Sequence, residues 1–265
     1  LRKPGTRRCH LVLKVALMTA VSFSPLSRAW AAPLANLDIF LLFGQSNMSG
    51  RAELDGAPAL VHSDHLWMFR NGSFVPAREP VSDDPEAAFG PSLTFADALF
   101  HDTQRPIGLI NCARGGTKIV QWAPDDDPGS LYGTCLGQAK QARTFGRLRG
   151  AIFYQGEYDS WNLDDAAGWS ARATRMLQRL RTDLNAPFLP IIVTQIGPNP
   201  PDSETASPAR VLLAAQEAIA LPHAAVVSAR DLPFQSDRLH LNQQGQIALG
   251  GRYAKAMWRL MQAAR

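Results

Sequence analysis

The run Leu37-Asp38-Ile39-Phe40-Leu41-Leu42-Phe43-Gly44-Gln45-Ser46-Asn47-Met48-Ser49-Gly50 decides the fold. Its first half is almost continuously apolar rather than alternating, as a strand covered on both faces should be. Its second half breaks at a glycine and leaves a serine two residues past the strand. A serine on such a tight turn has its hydroxyl exposed at the sheet edge and its backbone NH free to donate to an oxyanion. Ordinary turn chemistry also places serines beside glycines, so partner residues elsewhere must decide what Ser46 does.

Working outward, short apolar runs recur at residues 107–112, 151–154, 190–196 and 225–228. Helical spacing appears between them in Leu93, Ala96, Leu99 and Phe100, in Ala173, Met176, Leu177, Leu180 and Leu184, and in Val211, Leu212, Ala215 and Ile219. A final helix is expected over residues 243–262, with Ile247, Ala254, Trp258 and Met261 facing inward. Buried strands alternating with amphipathic helices predict an α/β fold of three layers, a parallel sheet between helices. Ligands of such sheets bind outside the carboxyl ends of the strands. The chemistry is therefore expected in the loops 44–50, 113–122, 155–161, 197–207 and 231–240.

With 265 residues, 46% of them hydrophobic, the chain is large enough for one full-sized core. Residues 1–31 stand apart. They read in order as a basic region (Arg2, Lys3, Arg7, Arg8, Lys14), an apolar run over residues 15–23 and a small-residue exit through Ala29 and Ala31. This is the pattern of a secretory signal peptide, with cleavage expected after Ala31 and one domain over residues 32–265. The apolar run falls well short of the roughly 20 residues that span a bilayer, so no stable membrane anchor is expected after cleavage. The protein is accordingly expected to be exported, to the periplasm or the extracellular space.

The formal net charge of +4 loses its meaning once located. Six of the 27 Lys/Arg and none of the 23 Asp/Glu fall within residues 1–31, which leaves 21 basic against 23 acidic residues and a formal charge of −2. Nothing in that balance supports a nucleic-acid partner. Of the three cysteines, Cys9 belongs to the leader, and Cys112 and Cys135 remain. An even pair in an exported protein permits a disulfide, and two buried thiols are the other reading. His62 and His65 have no acidic or cysteine cluster beside them in sequence and read as loop residues; no metal and no cofactor is expected.

A serine hydroxyl is a poor nucleophile near neutral pH. It needs an imidazole to take its proton and a carboxylate to hold that imidazole in the right tautomer. Asp237-Arg238-Leu239-His240-Leu241-Asn242, just before the last helix, can supply both from one segment, the other reading being an aspartate that caps a turn beside an ordinary surface histidine. Gly115 and Gly116, after the second apolar run, let backbone NH groups approach a ligand closely. Gln155, after the third, has a side-chain amide that can donate to the same oxyanion. Glu157 and Asp159 follow it, and either orients His240 in place of Asp237 or braces its own loop.

Taken together, Gly44-Gln45-Ser46-Asn47-Met48, Gly115-Gly116-Thr117 with Trp122, Gln155-Gly156-Glu157 with Asp159, and Asp237 with His240, Leu241 and Gly245 resemble the ordered blocks of carbohydrate esterase family 6 and the related sialate O-acetylesterases. These belong to the SGNH hydrolase superfamily, and the resemblance covers essentially all of residues 32–265. It implies a flavodoxin-like sheet of about five strands, no metal, and removal of acetyl groups from an acetylated carbohydrate. It also implies roles: Ser46 as nucleophile, His240 as base and Asp237 as its orienter. The Ser46 NH, an NH of Gly115 or Gly116 and the Gln155 side chain would form the oxyanion hole. The wider superfamily has asparagine where Gln155 stands.

Two other functions are compatible with parts of the pattern. A lipase or thioesterase of the same superfamily would need an apolar acyl channel, whereas Arg114, Lys118, Gln121, Trp122, Asp125, Asp126, Asp127 and Asn162 make these loops polar with scattered aromatics, which suits sugars better. A carbohydrate-binding protein without catalysis would have no need of Ser46, Asp237 and His240 together.

Overall fold

The structure, a computed structural model, describes Leu1 and residues 36–197 and 207–263. The leader assigned to residues 1–31 and most of the loop 197–207 lie outside the described residues. Among the described residues, seven strands form one sheet in the order β3-β2-β4-β1-β5-β6-β7. They are β1 (Leu37–Gly44), β2 (Leu66–Arg70), β3 (Ser73–Pro76), β4 (Ile107–Asn111), β5 (Gly146–Tyr154), β6 (Ile191–Gln195) and β7 (Ala224–Ser228). Every neighbouring pair is parallel except β2 and β3.

The five strands expected from the sequence lie in the spatial order second, first, third, fourth, fifth, the flavodoxin-like arrangement. All residues of β1 are buried, which accounts for its unbroken apolar run. Its two faces meet different helices. Phe40 packs edge-on against Phe95 of α2 (Ser92–Thr103), at 5.2 Å between ring centroids. Phe43 packs at 4.7 Å against Phe153, which stacks in turn on Trp169 of α4 (Leu163–Asp183). The α2 helix also packs along α6 (Gln243–Ala263), and α4 along α5 (Pro208–Glu217), so a helix layer covers each face. Among the described residues, no helix is long and apolar enough to cross a membrane.

The sheet is wider than the five strands read from the sequence. The hairpin β2–β3 turns through Asn71 and Gly72, both at positive φ (48° and 83°), and adds an edge on which only Phe74 of β3 is buried. A further helix, α3 (Leu131–Ala142), was also not anticipated. It buries Tyr132, Cys135, Ala139 and Ala142 against the sheet, and its first turn is capped by Ser130 Oγ, which accepts from the Gly133 NH at 2.9 Å. Cys135 of this helix forms a disulfide with Cys112, just past β4, with the two Cα atoms 5.7 Å apart. That settles the open reading of the cysteine pair.

The junction of β1 and β5 positions the chemistry. Gly44 pairs with Tyr154 at the end of the ladder, and the Gln45 NH donates to the Tyr154 carbonyl at 2.8 Å. Gly44 has φ of +124°, and a Cβ there would lie 2.0 Å from the Tyr154 carbonyl oxygen. Glycine is thus required both by its conformation and by the close approach of β5. Gly44→Ala is expected to lower stability by about 3 kcal/mol, since the turn must open before a methyl fits. Urea unfolding of the variant measures this, and a loss below about 1 kcal/mol would contradict the packing described.

Candidate active site

Ser46 opens a single helical turn, α1 (Ser46–Ser49), directly after the Gly44 bend. As the first amide of that turn, its NH has no intrahelical carbonyl to bond and remains a donor. The opposite wall of the site is the loop 234–241, which closes on itself through an antiparallel bridge between Phe234 and Leu241. Within it, Arg238 adopts φ of +56°, and Asp237 Oδ1 accepts from the NH groups of Leu239 and His240 at 2.9 and 3.0 Å. This Asx-type turn folds Asp237 back beside the imidazole three residues later.

The result is a continuous chain of hydrogen bonds. Asp237 Oδ2 lies 2.7 Å from His240 Nδ1, and His240 Nε2 lies 3.0 Å from Ser46 Oγ. With Nδ1–H donating to the carboxylate, Nε2 carries the lone pair that faces the serine hydroxyl. Partial burial pushes the Asp237 pKa up, but bonds from the His240 NH, the Leu239 NH and the His240 ring outweigh it and hold the carboxyl below its ordinary range. Asp237 therefore stays ionised beside the imidazole. The structure brings together all three residues that the sequence placed in one mechanism.

Asn47, next to Ser46, holds the two walls in register. It is fully buried. Its Nδ2 donates to the Leu239 carbonyl at 3.0 Å and to Glu157 Oε1 at 2.7 Å, and its Oδ1 accepts from the Leu241 NH at 2.9 Å. One amide thus grips the backbone on both sides of His240. The motif contained Asn47, but no role for it was read from the sequence. The signal available was position: a polar side chain between a serine and an apolar Met48, at a buried strand end, must find internal partners.

The oxyanion residues need correction. Gln155 is buried, and its Nε2 is spent on Thr117 O at 2.9 Å, Gln45 Oε1 at 3.1 Å and the Asp159 carboxylate, while its Oε1 accepts from Trp169 Nε1 at 2.7 Å. An amide so engaged braces the loops after β4 and β5 and is not directed at Ser46. Gly115 is also committed, since its NH donates to Asp84, a buried carboxylate that also takes the Glu86 NH and Arg51. Burial raises the Asp84 pKa, but these donors more than reverse it. The Gly116 backbone, at φ of +68° and with no atom within 4 Å of where a Cβ would sit, is the open member of the pair.

A donor not anticipated from the sequence is Gln45. Its Oε1 accepts from Gln155 Nε2 and from the Gly156 NH at 3.4 Å, which fixes the orientation of the amide. Its Nε2 donates to nothing among the described residues, one position before Ser46.

Glu157 and Asp159 act as braces. Glu157 bonds to Asn47, and Asp159 accepts from the Ile119 NH at 3.0 Å and from Gln155, whereas both ring nitrogens of His240 are taken by Asp237 and Ser46. Trp122, buried, donates from Nε1 to Thr117 Oγ1 at 3.1 Å and stiffens the glycine loop. His62 bonds to Asp97 and His65 stacks on Phe100, far in the chain from these groups. Among the described residues no group of three or more His, Cys, Asp or Glu side chains is arranged to hold a metal ion.

A serine on the turn after the first strand, reached by an imidazole from the loop before the last helix, is the layout of the SGNH-type carboxylic ester hydrolases. Comparison with known proteins narrows that class. Residues 36–259 match the family described as carbohydrate esterase, sialic acid-specific acetylesterase, and the chain belongs to that family. A probable carbohydrate esterase of Arabidopsis thaliana, At4g34215, is 31% identical over 252 residues, which span 85% of this chain and 92% of that protein. Its crystal structure superposes with a TM-score of 0.76 at 29% identity, over 84% of this chain and 98% of that one. A carbohydrate acetylesterase of Xanthomonas citri, XAC1771, shares the fold with a TM-score of 0.68 at 23% identity, over 85% of this chain and 56% of that one.

Burial pushes the Glu157 carboxyl up to about 7, against the opposing effect of its bond from Asn47, and burial does the same to Glu79. Both titrate near 4.3 to 4.5 in an unfolded chain. The folded protein therefore binds more protons across roughly pH 4.5–7, and these two groups make stability fall as pH rises through that window. Glu157→Gln removes one contribution. Urea unfolding at pH 5 and pH 8 is expected to show a smaller loss in the variant than in the wild type, and an unchanged loss would contradict the burial of an ionisable Glu157.

Proposed function

We propose that this chain is an exported serine esterase that removes O-acetyl groups from carbohydrates through an acetyl-enzyme. The observation that carries the reading is the 3.0 Å contact of Ser46 Oγ with His240 Nε2, backed at 2.7 Å by Asp237. Ser46 Oγ attacks the acetyl carbonyl carbon as His240 Nε2 takes its proton. The tetrahedral oxyanion meets the Ser46 NH, the Gly116 NH and Gln45 Nε2. Its collapse expels the sugar oxygen, which leaves with the proton from His240, and the acetyl group stays on Ser46. Water then attacks this ester as His240 again takes a proton, and acetate departs.

The carbohydrate reading is supported by the family and by the names of its relatives. Export is supported by the basic, apolar and small-residue order of residues 1–31 and by the Cys112–Cys135 bond, since disulfides persist in oxidising compartments. The direct test is acetate release from acetylated xylan, O-acetylated sialic acid and a long-chain ester, side by side. Release from a sugar ester with little turnover of the long-chain ester is expected. The reverse preference would make the protein a lipase-like member of the superfamily.

Ser46→Ala is expected to abolish turnover without loss of the fold, and Asp237→Asn to cost less than His240→Ala, because loss of the orienter leaves a base in place. Gln45→Ala should lower kcat by roughly 10²-fold at nearly unchanged KM, the behaviour of a donor that acts mainly in the transition state. Gln155→Ala should instead reduce thermal stability first, because it strands Trp169 Nε1 and removes one of the donors to the Asp159 carboxylate. A purely kinetic effect in Gln155→Ala, with none in Gln45→Ala, would exchange the two roles.

A further inference from the structure

Among the described residues, four exposed apolar side chains come from two neighbouring segments. Val120, Tyr158, Trp161 and Leu163 are all at least one third exposed, with Trp161 at 56%, and they come from two segments that are stitched together. The Asp159 carboxylate accepts from the Ile119 NH at 3.0 Å, and Lys118 Nζ donates to Asp165 at 2.6 Å. These bonds hold the turn Ile119–Trp122 against the start of α4. On this surface the rings of Tyr158 and Trp161 lie 4.6 Å apart between centroids, tilted by 36°.

The pair is also tied to the reacting serine. Gly156 and Glu157 bond to Gln45 and Asn47, the two neighbours of Ser46, and Tyr158 is the next residue in the chain. The bonds of Glu157 to Asn47 and of Asp159 to the Ile119 NH tether the segment that carries Trp161 to the loops after β1 and β4. We propose that Trp161, backed by the Tyr158 ring packed against it, offers its outer face as a platform on which a sugar ring of the acetylated substrate stacks, presenting its ester to Ser46. This rests on the carbohydrate esterase reading above and names a binding element within it.

The chemistry fits a sugar better than an acyl chain. A pyranose has a face of C–H groups that lies on the π-surface of an aromatic ring, while its equatorial hydroxyls point outward to polar partners. Here those partners are at hand. The Lys118 ammonium uses one of its three protons on Asp165 and is 39% exposed, and Asp165 frames the same edge. An acyl chain would need an enclosed apolar channel, and this surface is open and flanked by charge.

The test compares Tyr158→Ala, Trp161→Ala and Trp161→Phe with the wild-type protein on three substrates: methyl tri-O-acetyl-xylopyranoside, O-acetylated N-acetylneuraminic acid and p-nitrophenyl acetate. With a sugar ester that the wild type hydrolyses, Trp161→Ala is expected to raise KM roughly fivefold or more with kcat little changed, and Trp161→Phe to recover most of the loss. The ratio of kcat/KM for the sugar ester to that for p-nitrophenyl acetate should fall accordingly. Equal loss on the sugar ester and p-nitrophenyl acetate, or a fall in kcat that phenylalanine does not rescue, would make the pair a brace for the loop and overturn the proposal. An unchanged KM in both alanine variants would overturn it as well. If the wild type hydrolyses neither sugar ester, the carbohydrate reading itself fails, and that outcome is visible before any variant is compared.

Discussion

The grip of Asn47 on the backbone around His240 is the constraint on which the site depends. Ser46 and His240 are 194 residues apart in the chain, and the loop that carries the histidine is partly exposed. A loop of that kind could sample many positions, and a displacement of about 1 Å at a reacting pair can cost two orders of magnitude in rate. The Asn47 amide removes that freedom by bonding to Leu239 O and Leu241 NH at once. Each such bond adds only about 1 kcal/mol net, but lifting the loop would strand the buried Asn47 Oδ1, which accepts from the Leu241 NH, at about 1–3 kcal/mol. α6 adds a further tie, because Gln246 Nε2 donates to the Asn47 carbonyl at 3.2 Å.

The carboxylates around this centre are pushed in opposite directions by their surroundings. Glu157 and Asp159 are buried and shifted upward, chiefly by the loss of water. Asp237 sits nearer the surface and is shifted downward by three hydrogen bonds that together outweigh its partial burial. Only Asp237 is therefore held firmly as an anion beside the imidazole, where in the proposed mechanism negative charge would stabilise an imidazolium.

Much of this was legible in the sequence, and the parts that were not share a physical reason. The strands β1, β4 and β6 are buried throughout and β5 over its second half, so their apolar runs are unbroken and easy to see, whereas the half-buried edge strand β7 shows in its short run of Ala and Val. The β2–β3 hairpin carried its signal in Asn71-Gly72, the turn pair that tolerates two positive φ values, but Ser73-Phe74-Val75-Pro76 buries a single side chain and so shows no clear period. α3 was hidden because Gly133 and Gly137 weaken its helical pattern and its inward face, Tyr132 apart, is made of small residues, Cys135, Ala139 and Ala142. Ser46, Asp237 and His240 each have ordinary uses in turns, and were readable only jointly, because the order of strands and loops brings them to one edge of the sheet. Gln155 and Gln45 were not separable, since sequence places both at the sheet edge but does not say which way an amide turns. That direction is decided by Trp169, Thr117 and Asp159, all distant from Gln45 in the chain.

The central claim is that Ser46 is the group that becomes covalently acylated, with its hydroxyl activated from the loop that Asn47 holds. Covalent trapping tests it most directly. The protein is treated with diisopropyl fluorophosphate, digested, and the modified peptide located by mass spectrometry. The account predicts a single diisopropylphosphoryl group on Ser46, formed in step with the loss of esterase activity and absent from Ser46→Ala. Loss of activity with the label on another side chain, or full labelling of Ser46 with activity retained, would contradict it.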